Sequence, residues 1–405
     1  MFFKESNRMK RVLMVLENEF PNDDRVEKEI ESLQRIGYEV HVAVLTFINK
    51  PKFEVYKDYT IYRKPINQFF YKSSAVTLIV PFYFILWENF LKSILRNKKF
   101  DVIHIHDLPL SKVGYRLARK FKMKLVCDQH EYYSNWIVRT KHYNTAIGKI
   151  IQKLSNWPKY EREYLQKADL VITVEDSLKQ IYIDKVQVSK GKIITLSNTP
   201  RSEIFQADNI DQALITQKEK KFVLFYAGGL DHLRGIDFII ETIASLKNDI
   251  KDIKFLVAGR ENRAFSINEL ISKFQVENFV DFIGWVPIEK LPSYIALSDI
   301  CVHVPKPDNL EVNNTIATKI YQYASMGKPV IVSEARMMKD FVEANRIGYS
   351  VKFGDTQGFC DIIKKLHDDP SIAAEIKTRA VDVSKQYTWE NTSVEFTRFY
   401  EKFKS

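Results

Sequence analysis

The order of apolar and amphipathic segments predicts an α/β protein made of two doubly wound domains with parallel sheets. Three observations lead there. The chain has 405 residues, more than one hydrophobic core usually holds, so two domains of roughly 200 residues each are expected. Short runs rich in Val and Ile alternate with helix-like stretches almost throughout. The alternation lapses once, over residues 197–220, SNTPRSEIFQADNIDQALITQKEK, which read as an inter-domain linker.

In the first half, strands are expected over residues 12–16, 40–45, 102–106, 124–127, 170–174 and 193–196, with helices between them. The first helix, 24–35, carries Val26, Ile30 and Leu33 on one face, and Gly37 ends it. The second series places strands at 222–226, 255–258, 280–283, 300–304, 329–332 and 349–351, then helices at 372–386 and 388–403. Two such domains suggest a cleft lined by strand C-termini, where ligands of these folds bind. The stretch NNTIATKIYQYASMGKPV, 313–330, reads as a short helix stopped by Gly327 and Pro329. Ile316, Ile320, Tyr323 and Ala324 form its apolar stripe; Thr315, Thr318, Lys319 and Gln322 line another side. Lys319 stands out, because a cation in a first helical turn opposes the macrodipole unless an anion sits nearby.

Composition fits a folded, reduced protein: 45% hydrophobic, 28% charged, and three cysteines too far apart to form a disulfide framework or a metal-ligand spacing. The first residues lack an apolar signal core with a small-residue cleavage site, so a cytoplasmic protein is expected. Charge is lopsided. Residues 1–200 hold 34 Lys+Arg against 22 Asp+Glu, a surplus of 12, and residues 51–150 alone hold 18 against 7, a surplus of 11. Beside this excess lies SSAVTLIVPFYFILW, residues 73–87, uncharged and aromatic, with Lys72 before it and Lys92, Arg96, Lys98 and Lys99 after it. Broken by Pro81, the run is shorter than the ~20 residues that span a bilayer. An interfacial segment on an anionic inner membrane face accounts for the cations; nucleic acid does not, since aromatics and Arg are not interleaved along a helix.

The first strand-to-helix turn, ENEFPNDDR, has no glycine, so the dinucleotide-binding fingerprint is missing where it would occur. The first turn of the second domain, YAGGLDHLRG, contains Gly228 and Gly229 and ends in Arg234-Gly235 at a helix start. Glycines let backbone N–H groups approach a phosphate, and an Arg binds one bidentately. Arg260, after Gly259 at the next strand end, suits a base or a phosphate. In the first domain His104-Ile-His106-Asp107 and Asp128-Gln-His130-Glu131 both end strands, with His104 and His106 on one face. Buried polar groups there need partners, and Asp128, His130 and Glu131 suit acid–base work or sugar-hydroxyl contacts. There is no zincin or finger spacing, nucleophile elbow or P-loop.

The ordered set Phe20-Pro-Asn-Asp-Asp-Arg-Val-Glu-Lys-Glu29, His104–Asp107, Asp128–Glu131, Tyr226-Ala-Gly-Gly229, Arg234-Gly235 and Lys319–Val330 resembles the family 4, or group 1, glycosyltransferases. The resemblance covers nearly the whole chain. It implies the GT-B fold, two Rossmann-like domains facing across a cleft. The domains would be an acceptor domain over residues 1–200, a nucleotide-sugar domain over 201–387, and a tail helix over 388–405 that crosses back onto the first domain. It further implies metal-independent glycosyl transfer with retention, no cofactor beyond the nucleotide-sugar substrate, and leaving-group stabilisation by cations and helix N-termini. Carried over residue by residue, Arg234 and Lys319 neutralise the diphosphate and His130 contacts the transferred sugar. Gly228, Gly229, Arg260, Asn314, Thr315 and Gln322 complete the donor side; Asp24, His106, Asp107, Asp128 and Glu131 are acceptor-side candidates. Two positions depart from the family pattern. Gly229 stands where many members have Arg, and Asn314 and Gln322 stand where the family has two glutamates eight residues apart.

The function expected is transfer of a sugar from a nucleotide donor to a surface-glycan acceptor, with a lipid-linked precursor as its expected form, by an enzyme peripheral to the membrane. The amides at 314 and 322 keep open a catalytically silent binding or assembly subunit, and the architecture keeps open a nucleotide-sugar epimerase.

Overall fold

In the computed structural model, residues 8–21, 23–138, 145–216, 221–262 and 264–404 are described. The chain divides into two compact units, one of residues 1–197 with 393–405, the other of residues 198–392.

The first unit holds an eight-stranded sheet: β1 (Lys10–Leu16), β2 (Tyr38–Thr46), β3 (Phe53–Tyr56), β4 (Tyr59–Pro65), β5 (Val102–His106), β6 (Lys124–Gln129), β7 (Leu170–Thr173) and β8 (Ile193–Thr195). Its order is β3-β4-β2-β1-β5-β6-β7-β8, parallel except for the β3–β4 pair. Val12 to Val15 of β1 are all inaccessible to solvent, so both faces of the sheet are covered and the strand reads as a continuous apolar run. The helix Asp24–Arg35 starts where Asp23 accepts a hydrogen bond from the Val26 N–H. Its buried face carries Arg25, Lys28 and Glu29 as well as the expected apolar residues.

The antiparallel edge pair β3–β4 was not expected from the sequence. An edge strand buries one face at most, and β3 leaves Phe53 and Val55 57% and 66% exposed, so no buried apolar run marks it. The uncharged run 73–87 also divides. Tyr83, Phe84 and Trp87 of the helix Phe82–Leu95 enter the core, while Ile79, Val80, Phe82 and Ile85 remain exposed. Two of its flanking cations are paired, Lys92 with Glu88 at 2.6 Å and Lys98 with Glu39 at 3.0 Å.

The second unit holds six parallel strands, all at the expected places: β9 (Phe222–Leu230), β10 (Ile253–Glu261), β11 (Val280–Gly284), β12 (Ile300–His303), β13 (Val330–Ser333) and β14 (Gly348–Val351), in the order β11-β10-β9-β12-β13-β14. The stretch 313–330 is not one helix. The helix Leu310–Asn314 ends at Thr315, whose backbone is extended and whose hydroxyl bonds the Glu311 carbonyl at 2.9 Å. A second helix, Thr318–Ser325, then begins. Thr315 therefore sits in the break, and Lys319 in a fresh first turn. Ile320, Tyr323 and Ala324 form the buried stripe, and the Tyr323 hydroxyl accepts the Ala227 N–H at 3.0 Å, pinning this helix to β9.

The tail forms two helices, Trp389–Thr392 and Val394–Lys402, instead of one. The latter belongs to the first unit. Its Tyr400 is fully buried, with its carbonyl accepting from the Tyr38 hydroxyl at 2.7 Å.

Candidate functional site

In the second unit, β9 and β10 run in register, with Gly228 opposite Gly259 and Gly229 opposite Arg260. The backbones approach so closely that a Cβ on Gly259 would stand 1.7 Å from the Gly228 carbonyl oxygen, and both glycines have φ near +150° (+151° and +154°). This leaves a niche above Gly228 that is filled by one group: a Cβ there would lie 2.4 Å from the Lys319 Nζ. That ammonium nitrogen lies 4.3 Å from the Tyr226 ring centroid and is buried without a hydrogen-bond partner. Burial, and then the nearby Arg234 charge, push the Lys319 pKa well below its ordinary value. His303, buried at the end of β12 with Nδ1 unpartnered, has its ring centroid 6.2 Å from that of Tyr226, and burial, then the charges of Lys319 and Arg234, push its pKa well below the ordinary value.

Arg234 completes this niche. It ends a short 3₁₀ turn, His232–Arg234, capped by Asp231, whose carboxylate accepts the Arg234 N–H at 2.9 Å. Its side chain is 48% exposed and passes over Gly229. Arg260 lies apart, its guanidinium 4.9 Å from the ring centroid of the exposed Trp285, a flat cationic platform that the sequence did not flag. Asn314 accepts a hydrogen bond from Arg336, and the Arg336 N–H is held by Asn313 at 3.1 Å. Gln322 is buried on the Lys319 helix.

In the first unit, the ends of β5 and β6 bring four expected residues together. His130 Nε2 lies 3.2 Å from Asp128 and its Nδ1 lies 3.4 Å from Asp107. Burial opposes its charge, but the two carboxylates prevail and push His130 up to about 9. His106 Nδ1 is 3.5 Å from the same Asp128 oxygen. Asp107 holds a left-handed backbone, φ +64°, the kind of strain found at functional turns. Of the other acceptor-side candidates, Asp24 pairs with Lys28 at 3.2 Å, and Glu131 anchors the Tyr182 hydroxyl through its carbonyl at 3.0 Å; neither joins this group.

Two residues not expected at the site, Arg25 and Glu29, stand against Asp128 and the histidines of β5. Arg25 donates to both Asp128 oxygens at 3.2 Å and to the Leu196 carbonyl at 2.8 Å, and stands 3.2 Å from Glu29. Glu29, His104, His106 and Asp128 offer donor atoms all within 4.8 Å of one another, a spacing that would suit a cation. Two features oppose that use. Arg25 already rests against both carboxylates, and the two imidazoles are stacked at 4.4 Å and 11°, so their lone pairs run parallel rather than converging.

Sequence models of two families match this chain: Glycosyltransferase Family 4 over residues 25–199 and Glycosyl transferases group 1 over residues 208–382. The chain belongs to the family 4, group 1 glycosyltransferases. An uncharacterized glycosyltransferase of Methanocaldococcus jannaschii is 24% identical over 91% of both chains. A phosphatidylinositol N-acetylglucosaminyltransferase subunit of Saccharomyces cerevisiae is 22% identical over 73% of this chain and 68% of its own. Among solved structures, Anabaena HepE in complex with UDP-glucose superposes with a TM-score of 0.68 at 14% identity, over 98% of this chain and 100% of its own. The fold of this glycosyltransferase is accordingly the two-domain α/β GT-B fold.

Within the glycosyltransferase the expected residues thus form two groups, each in its own unit: Gly228, Gly229, Arg234 and Lys319; and His106, Asp107, Asp128 and His130. Tyr226, His303, Trp285, Arg25 and Glu29 were missed. Arg25 and Glu29 lie in the Phe20–Glu29 stretch that carries the resemblance, and beyond that their sequence signal was charge on the face of the first helix that also carries Val26, Ile30 and Leu33. A charge on an apolar face points to a buried partner elsewhere in the chain.

Proposed function

We propose that this glycosyltransferase binds the diphosphate of a nucleotide-sugar between Lys319, Arg234 and the Gly228–Gly229 backbone, and transfers the sugar with retention and without a metal. One observation carries the reading: the Lys319 amine is buried against Tyr226 beside a glycine niche with no partner. An unpaired buried amine is costly, and a polyanionic ligand removes that cost. Arg234 adds a half-exposed cation, and the Arg260–Trp285 pair suits a planar base. The nucleotide-sugar class is supported by the family and by the UDP-glucose held in the Anabaena neighbour. His130, cationic near neutrality, would donate to a sugar hydroxyl. Binding of a nucleotide-sugar panel, read by melting temperature, tests the donor site: at least one donor raises it, and no shift with any donor sinks the reading.

We further propose a membrane-bound, lipid-linked glycan acceptor. Among the described residues no helix is long and apolar enough to cross a membrane. However, the helix Ala146–Leu154 exposes Ile147, Ile150 and Leu154 at 72%, 60% and 66%, an apolar stripe at helical spacing on the solvent side. Phe82 and Ile85 are exposed as well, and exposed apolar residues within the basic first half suit an anionic leaflet. The Saccharomyces relative's name, a phosphatidylinositol glycosyltransferase, agrees with a lipid acceptor.

Asn314 favours the silent-subunit alternative, since it is engaged with Arg336 in place of the carboxylate that the family has there. Donor binding without turnover over a full acceptor panel would establish that alternative.

A further inference from the structure

An open cavity of about 600 Å³ lies in the first unit, between β4 and the C-terminal end of the helix Phe82–Leu95. Its volume falls among those of small-molecule sites, and none of His106, Asp107, Asp128 and His130 lines it. Tyr62 and Lys64 are two residues apart on β4 and so share a face. The Tyr62 ring is flanked by Phe53 at 5.5 Å and His41 at 5.9 Å, and Phe90 of the helix packs on Trp87 at 5.9 Å; with the buried Ile94 they make a fixed apolar wall. Lys52 enters from the residue before β3, and Lys98 from just beyond the helix. The ammonium groups of Lys52 and Lys64 have no partner among the described residues. Lys98 reaches Glu39 at 3.0 Å, but the same carboxylate takes Arg11 at 2.5 Å, so one anion answers two cations. Arg63 also borders the cavity, yet its guanidinium is held by Glu54 at 2.6 Å and by the Pro51 and Phe20 carbonyls, both at 3.2 Å. No Asp or Glu lines the cavity among the described residues. Single lysines on a surface are ordinary; three in one concavity without a lining carboxylate concentrate anions there.

We propose that this cavity holds the phosphate of an anionic phospholipid headgroup: Lys52, Lys64 and Lys98 meet the phosphate oxygens, and Tyr62, Phe90 and Ile94 take the glycerol and the first acyl carbons. A free phosphate would use the ammonium groups alone. The apolar wall, with the exposed Phe53 beside it, favours a ligand that carries hydrocarbon next to its charge. The inference deepens the membrane association proposed above and rests on it. A short-chain lipid that stays monomeric in water separates the two, since it binds a site with no bilayer present.

Titration calorimetry of monomeric dihexanoyl-phosphatidylglycerol into the full chain, at fixed ionic strength, reads it. Wild type should bind saturably, and Lys52→Gln with Lys64→Gln should bind about tenfold more weakly or worse. Lys185→Gln with Lys190→Gln removes the same charge from exposed positions before β8, at the far edge of the sheet from β4, and should bind within about twofold of wild type. Lys52→Gln alone, at an exposed position, should weaken binding about threefold and serves if the double variant melts lower. The proposal is overturned if the lipid does not bind saturably, or if both double variants lose affinity equally, which would show bulk charge alone. It is also overturned if glycerol 3-phosphate binds as tightly as the lipid, the mark of a free-phosphate site, or if dihexanoyl-phosphatidylcholine does, the mark of an apolar one. Lysine-dependent binding of the monomer by a protein that does not float with anionic vesicles would uphold this site and end the membrane reading; flotation without monomer binding would do the reverse.

Discussion

Lys319 and His130 carry opposite electrostatic signatures, and each gives a measurable pH effect. Burial holds the Lys319 pKa well below its ordinary value in the folded chain, while the unfolded chain titrates near 10.5. Between those values the unfolded state binds more protons, so this residue makes stability rise with pH. A diphosphate reverses the balance by favouring the ammonium, so donor binding should take up a proton wherever the pH lies between the Lys319 pKa of the free and of the bound protein. Calorimetry in buffers of different ionisation enthalpy should then give different binding heats, and equal heats would show that the amine is already charged. His130 behaves the other way, its pKa raised from 6.5 to about 9. Its contribution to stability is complete below about pH 6.5 and lost as pH rises through about 9. Melting temperature should fall over that window in wild type, and fall less in His130→Gln.

At the scale of elements, the paired strand ends of β9 and β10 determine where Lys319 can lie. Gly259 has φ +154° and no room for a Cβ against the Gly228 carbonyl, so Gly259→Ala forces backbone to move. A loss of about 3 kcal/mol or more is expected, visible as a lower urea midpoint; an unchanged midpoint would refute the close approach. The helix Thr318–Ser325 shows how far the sequence could be read here. Its buried stripe followed from spacing, yet the break at Thr315 did not, because Leu310–Asn314 and Thr318–Ser325 share a compatible periodicity. The edge strand β3 was unreadable for a related reason, since a strand with Phe53 and Val55 exposed lacks the burial that gives strands their signal.

Across the whole chain, the two-sheet architecture was legible because buried parallel strands need long apolar runs, and twelve of those expected are present. The site was half legible. Gly228, Arg234, Lys319, Asp128 and His130 sit at strand ends or helix starts, where backbone direction alone suggests their role. Glu29, Arg25, Tyr226 and Trp285 matter through partners distant in sequence, and no local pattern records such pairings. The surplus of 11 charges over residues 51–150 belongs to this scale too. Full-length protein should float with anionic liposomes at low salt, less so at high salt, and Ile147→Glu with Ile150→Glu should weaken flotation by about tenfold or more. Undiminished flotation of that variant would remove the stripe of Ala146–Leu154 from the membrane surface. The buried Lys319 amine awaits a diphosphate, and titration calorimetry of nucleotide-sugars, UDP-glucose first, into wild type and Lys319→Met puts this to the test. Wild type should bind at least one donor saturably, with affinity about 100-fold weaker or worse in a variant that melts no lower. Equal affinity in the two proteins would rule out Lys319 as the diphosphate's partner.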